Sequence, residues 1–189
     1  MQKVSTLPFF KRGHSNEVVI KPITVGAFYK LPHIKKDDMN DAEQFAQYKA
    51  AIFECTDLSD EEFAALTAPD FNQLSRDIAS FIHQPSDLLR GEPLDGETFS
   101  FELLYPFTNE LGEELKTVRF TVPTVAHSEA LAEKTEDNER EAFMFQSVTA
   151  LHKNDVDRMA LNDYLAIKSQ VGAFFTQLGA FFAPKMWTA

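Results

Sequence analysis

Five histidines, one cysteine and 29 carboxylates are the groups with which this chain could hold a metal, attack a substrate or move a proton. His14, His33, His83, His127 and His152 fall in different segments, and no two stand at the i, i+3 or i+4 spacing of a helix-borne metal site. Cys55 is the only cysteine, which excludes an intramolecular disulfide and a zinc site of paired cysteines. Gly26 stands alone in "TVGAF" where a phosphate-cradling loop needs several glycines. No serine sits in a nucleophile elbow. The run "DDMNDAE" lacks the glycine and the terminal Glu of a calcium loop and reads as a solvated helix start. These absences predict a non-catalytic protein with no cofactor and no metal.

The conspicuous chemistry is apolar. "VGAFFTQLGAFF" (Val171 to Phe182) places Phe174 and Phe181, and likewise Phe175 and Phe182, seven residues apart, which on a helix puts each pair on one face. Phe174, Phe175, Leu178, Phe181 and Phe182 are therefore the candidate partner-binding residues. The same stripe has a second reading, as the closing layer of the chain's own core. Burying each Phe is worth about 1.5 to 3 kcal/mol, so a face left open without a partner invites aggregation.

The elements that must carry this stripe come twice. Ile52 to Ile82 aligns without a gap on Phe145 to Phe175 at an offset of 93, pairing Thr56 with Thr149, Leu58 with Leu151, Asp70 with Asp163, Phe71 with Tyr164 and Leu74 with Ile167. Upstream, "VVIKPITVGAFYKL" (Val18 to Leu31) matches "VRFTVPTVAHSEAL" (Val118 to Leu131) at an offset of 100. Within this repeat Cys55 falls opposite Val148, which marks it as a small core residue rather than a nucleophile. Val171, Phe174 and Phe175 have apolar counterparts in the first copy, whereas Leu178, Phe181, Phe182 and Trp187 extend beyond the repeated unit.

Each copy reads as a β-hairpin followed by helices. In the second, "TFSFELLYPF" alternates Phe99, Phe101, Leu103 and Tyr105, Gly112 lies in the turn, and "LKTVRFTV" alternates Val118, Phe120 and Val122. In the first, "TLPFFKR" and "VVIKPI" flank a turn through "GHSNE", with Pro8 and Pro22 marking short or edge strands. Asn40 or Asp41 caps a helix through Ile52, and Ser59 with Glu62 forms a capping box. Pro69 opens a helix that turns Phe71, Leu74, Ile78, Phe81 and Ile82 inward. In the second copy the last helix is expected to run from about Leu161 to Phe182, limited by Pro184. The fold class is thus α+β: two tandem copies of a hairpin followed by two or three helices, packed pseudo-symmetrically. Residues 1–84 form the first copy, 85–97 a linker punctuated by Pro85, Gly91, Pro93 and Gly96, and 98–189 the second copy.

Charge narrows the partners. Eighteen Lys and Arg against 29 Asp and Glu give a net charge of -11, divided as -3 over residues 1–90 and -8 over residues 91–189. Contact with nucleic acid or anionic lipid would begin with repulsion. No apolar run reaches the roughly 18 residues of a membrane span, and the opening "MQKVSTLPFFKRGHSNE" holds too short an apolar patch for a secretory signal.

The order of parts resembles the tail assembly chaperones of contractile-tailed phages of the Mu and P2 type. The family's segment after the hairpin, a basic residue leading to Pro-Thr-Val and Gly-Asp, has its parallels in "KPITVGAF" (Lys21 to Phe28) and "TVPTVAHS" (Thr121 to Ser128). Its later signature is echoed by Thr56, Leu58, Leu66, Asp70 and Phe71, and again by Thr149, Leu151, Met159, Asp163 and Tyr164. Usual members resemble a single unit, so the doubling is a departure. The resemblance implies a non-catalytic protein of the bacterial host cytoplasm, a monomer or small homo-oligomer, that keeps the phage tape measure protein soluble. Two other readings stand beside it: a structural tail component such as a tail completion or tube-associated protein, and an acidic inhibitor imitating nucleic acid.

Overall fold

The computed structural model describes residues 2–182 and is α+β, with two antiparallel hairpins and, among those residues, nine α-helices. Pro184 and Trp187 lie outside the described residues. The chain divides into two compact units, one ending at Gln84 and the other beginning at Pro85.

In the first unit, β1 (Lys3–Thr6) pairs with β2 (Glu17–Ile20), Lys3 opposite Ile20 and Thr6 opposite Glu17. The first strand thus lies earlier than "TLPFFKR" predicts, because Pro8 has no N–H to give a ladder. Leu7 and Phe10 of that segment are buried, with Leu7 N–H donating to the Asn16 carbonyl. Four helices follow: α1 (Val25–Phe28), α2 (Asp41–Cys55), α3 (Asp60–Ala64) and α4 (Ala68–Ile82). Asn40 caps α2 and Ser59 caps α3, each in a reciprocal box with the Glu three residues on. Thr67 caps α4, with Pro69 in its first turn. Leu74, Ile78, Phe81 and Ile82 of α4 are buried, as are Val18, Ile20 and Ile52. Phe71, expected to face inward with them, is only half-buried, because it stacks on the exposed Phe45 instead of entering the core.

The second unit starts with α5 (Ser86–Arg90), ended by Gly91 in the left-handed region at φ 73°. The segment 85–97, expected as a linker, is an ordered part of this unit: Asp87 accepts from Leu94 N–H at 3.1 Å, and Gln170 Nε2 donates to the Asp95 and Thr98 carbonyls, both at 2.9 Å. β3 (Ser100–Thr108) pairs with β4 (Glu114–Arg119), Ser100 opposite Arg119 and Thr108 opposite Glu114, with an irregularity between Glu102 and Phe107. Gly112 turns the hairpin at φ 81°, as its position in the sequence predicts. Phe99, just before the strand, is 41% exposed; Phe101 and Leu103 are buried, but Leu104 and Tyr105 are both half-buried, so the predicted alternation holds only in the strand's first half. α6 (Val125–Ala132), α7 (Asp137–Thr149), α8 (Lys153–Arg158) and α9 (Leu161–Thr176) complete the unit.

The order hairpin, short helix, long helix, short helix, long helix is common to both units. Specific contacts recur with it. Lys21 N–H donates to the Cys55 carbonyl and Thr121 N–H to the Val148 carbonyl, both at 2.7 Å. The Thr56 hydroxyl donates to the Ile52 carbonyl at 2.7 Å and accepts from Leu58 N–H; the Thr149 hydroxyl donates to the Phe145 carbonyl at 2.6 Å and accepts from Leu151 N–H. Asp70 and Asp163 are fully buried in the first turns of α4 and α9, and each reaches its own hairpin segment.

Candidate functional site

The C-terminal aromatic stripe is not one helix. α9 ends at Thr176, six residues before the expected Phe182, and Gln177 is extended at φ -86°, ψ 153°. Thr176 Oγ1 turns back to the Gly172 carbonyl at 2.9 Å, and a 3-10 turn, Gly179–Phe182, follows. The break has a packing reason. On a continuous helix Phe182 would lie two turns beyond Phe175, whereas the turn folds it flat onto Phe174, ring centroids 4.7 Å apart and planes 4° from parallel.

Phe174 is buried, its ring also meeting those of Phe99 at 5.7 Å and Phe120 at 6.1 Å. Phe175 and Phe182 are half-buried, Phe181 is 44% exposed and Leu178 80% exposed. The five candidate residues therefore form a graded cluster, from the core at Phe174 to solvent at Leu178. Its seat is shaped by Gly96, where a Cβ would fall 1.8 Å from the Phe181 carbonyl oxygen, so only glycine lets the turn lie this close.

A second aromatic cluster, in the first unit, escaped the sequence reading. Phe45 and Phe71 stack with centroids 5.1 Å apart, Phe63 meets Phe71 edge-on at 6.1 Å, and Phe53 meets Phe63 at 5.0 Å. Lys49 holds its ammonium 5.3 Å from the Phe63 ring and 5.8 Å from that of Phe53. Phe45 stands on α2 with its side chain 49% exposed. The available signal was the density of Phe across three successive helices, which only their packing gathers into one surface.

Reactive chemistry is subdued. Burial pushes the Cys55 thiol up to about 12, with the charge of Glu54 adding to the effect, so at neutral pH it stays a protonated, shielded thiol. A pocket of about 100 Å³ in the first unit is lined mainly by apolar groups, among them Leu31, Ile34, Ile52 and Ile78, with Tyr48 and His83. Desolvation lowers the His83 pKa. His83 also meets the Phe28 ring edge-on at 5.5 Å. Among the described residues, no three His, Cys, Asp or Glu side chains are grouped to hold a metal ion. None of the described helices is long and apolar enough to cross a membrane.

Fold and surface together define a small α+β protein whose distinctive exposed chemistry is aromatic and whose charge is acidic. Residues 100–176 match the family model for phage tail assembly chaperone proteins, E, or 41 or 14. The match begins at β3 and ends at the last residue of α9, and it supports both the family resemblance and a role in phage tail assembly. It covers fewer than half of the 189 residues and lies wholly in the second unit. No curated protein and no solved structure matches the chain.

Proposed function

We propose that this protein is a non-catalytic tail assembly chaperone that keeps the tape measure protein soluble in the host cytoplasm while the tail is built. The observation that carries the reading is the family match over residues 100–176, in the unit that carries the graded Phe cluster. A client helix with an apolar stripe would be covered by Phe174, Phe175, Leu178, Phe181 and Phe182, with Leu178 and Phe181 making first contact and Phe174 supporting them from the core. The net charge of -11 would keep the complex dispersed. Binding of this kind is reversible, as later removal of the chaperone requires.

The paired contacts at Thr56 and Thr149, and at Asp70 and Asp163, support the further reading that residues 1–84 and 98–189 are divergent copies of one unit. A chain that carries both copies is expected to run as a monomer by light scattering.

The test is co-expression with the tape measure protein. It should stay soluble with this chain, precipitate without it, and precipitate again with Leu178→Ser/Phe181→Ser, provided that variant keeps the wild-type unfolding transition. Solubility unchanged by removing the chain overturns the proposal. Presence of the chain in purified virions would move it to the structural tail components.

A further inference from the structure

The aromatic surface of the first unit needs a purpose, because the fold does not require it. The hydrogen bonds of Thr56 and Thr149 fix the correspondence of α2 with α7 at an offset of 93. At that offset Phe45 falls opposite Asn138 and Phe53 opposite Gln146, both exposed polar residues, and Tyr48 opposite Glu141. Glu141 accepts hydrogen bonds from the Tyr164 hydroxyl and from Lys168 Nζ. The second unit thus builds the same succession of helices with a polar face where the first carries Phe45, Tyr48 and Phe53. Half-exposed Phe rings are costly in water, and nothing in the local packing compels them.

The charges on the helices that carry the rings say what kind of partner fits. Glu54 on α2 and Asp60 and Glu61 on α3 are exposed, and none has an ion pair among the described residues. The ring faces are themselves electron-rich and already attract one cation, Lys49. A second copy of this chain brings the same carboxylates and the same net charge of -11 to the contact, which disfavours self-association.

We infer that Phe45, Phe53, Phe63 and Phe71 form a docking surface for an amphipathic helix of another protein whose apolar stripe is flanked by Lys or Arg. Its apolar residues cover the rings, and its cations meet Glu54, Asp60 and Glu61. This surface shares no residue with the C-terminal cluster and does not depend on the identity of the client proposed above.

The experiment uses the full chain and two synthetic helical peptides, one of Leu/Lys heptads and one of Leu/Glu heptads, followed by fluorescence anisotropy. The Leu/Lys peptide should bind, at least tenfold tighter than the Leu/Glu peptide and more weakly as salt rises. Phe45→Asn/Phe53→Gln installs the residues of the second unit and leaves net charge unchanged; it should weaken binding at least tenfold. Leu178→Ser/Phe181→Ser should bind as wild type, which separates this surface from the C-terminal one. If the double variant loses its thermal transition, Phe45→Asn alone, at a half-exposed position, serves in its place and should weaken binding at least threefold. Undiminished binding by the folded variant, equal binding of both peptides, or self-association of the wild type that the variant abolishes overturns the inference.

Discussion

Asp163 accepts the backbone N–H of Leu104 through one carboxylate oxygen at 2.9 Å, and its other oxygen takes Tyr105 N–H at the same distance. This buried side chain completes the backbone of β3 where its pairing with β4 is irregular, between Glu102 and Phe107. Its counterpart Asp70 makes a single long contact, 3.4 Å from Phe9 N–H, and its second oxygen has no hydrogen bond. Removing Asp163 should therefore cost more than removing Asp70. Asp163→Ala strands two part-buried donors and is expected to lose about 3 kcal/mol in urea unfolding, against about 1 kcal/mol for Asp70→Ala. Equal losses would show that the hairpin does not depend on this carboxylate.

Gly96 and the 3-10 turn form a second dependency. Gly96→Ala drives a methyl group into the Phe181 backbone, so the turn must lift and the stack of Phe182 on Phe174 must loosen. The expected cost is about 1 to 3 kcal/mol. Phenyl-ring NMR shifts of Phe174 should move with it, and a wild-type spectrum for the variant would refute the close approach.

Stability should fall with acid in two separate steps. The His83 pKa is lowered by burial, so the folded state prefers the neutral ring. Its contribution is complete above the ordinary value near 6.5 and is lost as pH falls below it. Glu43 is lowered first by its hydrogen bond from Lys36, Glu62 by that from Arg12, and Glu61 by its own backbone N–H. Their contribution is present above about 4.5 and is lost as pH falls from there. Thermal scans from about pH 7.5 downward should show the first decline disappear in His83→Asn while the second persists. A decline near pH 6 that survives this substitution must belong to another group.

Cys55 gives a direct check on core packing. Its thiol, buried and held up near 12, should resist a thiol reagent at neutral pH until the chain unfolds. Cys55→Val, the residue found opposite it at Val148, should change stability by less than about 1.5 kcal/mol. Fast labelling of the native protein would contradict the burial.

The division between sequence and tertiary structure follows the range of the forces involved. The cap expected at Asn40 or Asp41, the capping box at Ser59, the turn at Gly112 and the inward row of α4 from Leu74 to Ile82 depend on residues a few positions apart, so the linear pattern was enough to find them. The recurrence of apolar positions at offsets of 93 and 100 was legible for the same reason, since it too is read from local periodicity. Periodicity names a stripe but not what covers it. The stripe from Val171 to Phe182 read as one helix because seven residues suit two turns, yet Phe182 gains more by folding onto Phe174, whose neighbours Phe99 and Phe120 come from the hairpin segment far upstream. Phe45 and Phe71 likewise belong to different helices, and their stacking outside the core is a property of how α2 and α4 cross. Such contacts are set by volumes brought together across the fold, and only the packed chain determines them.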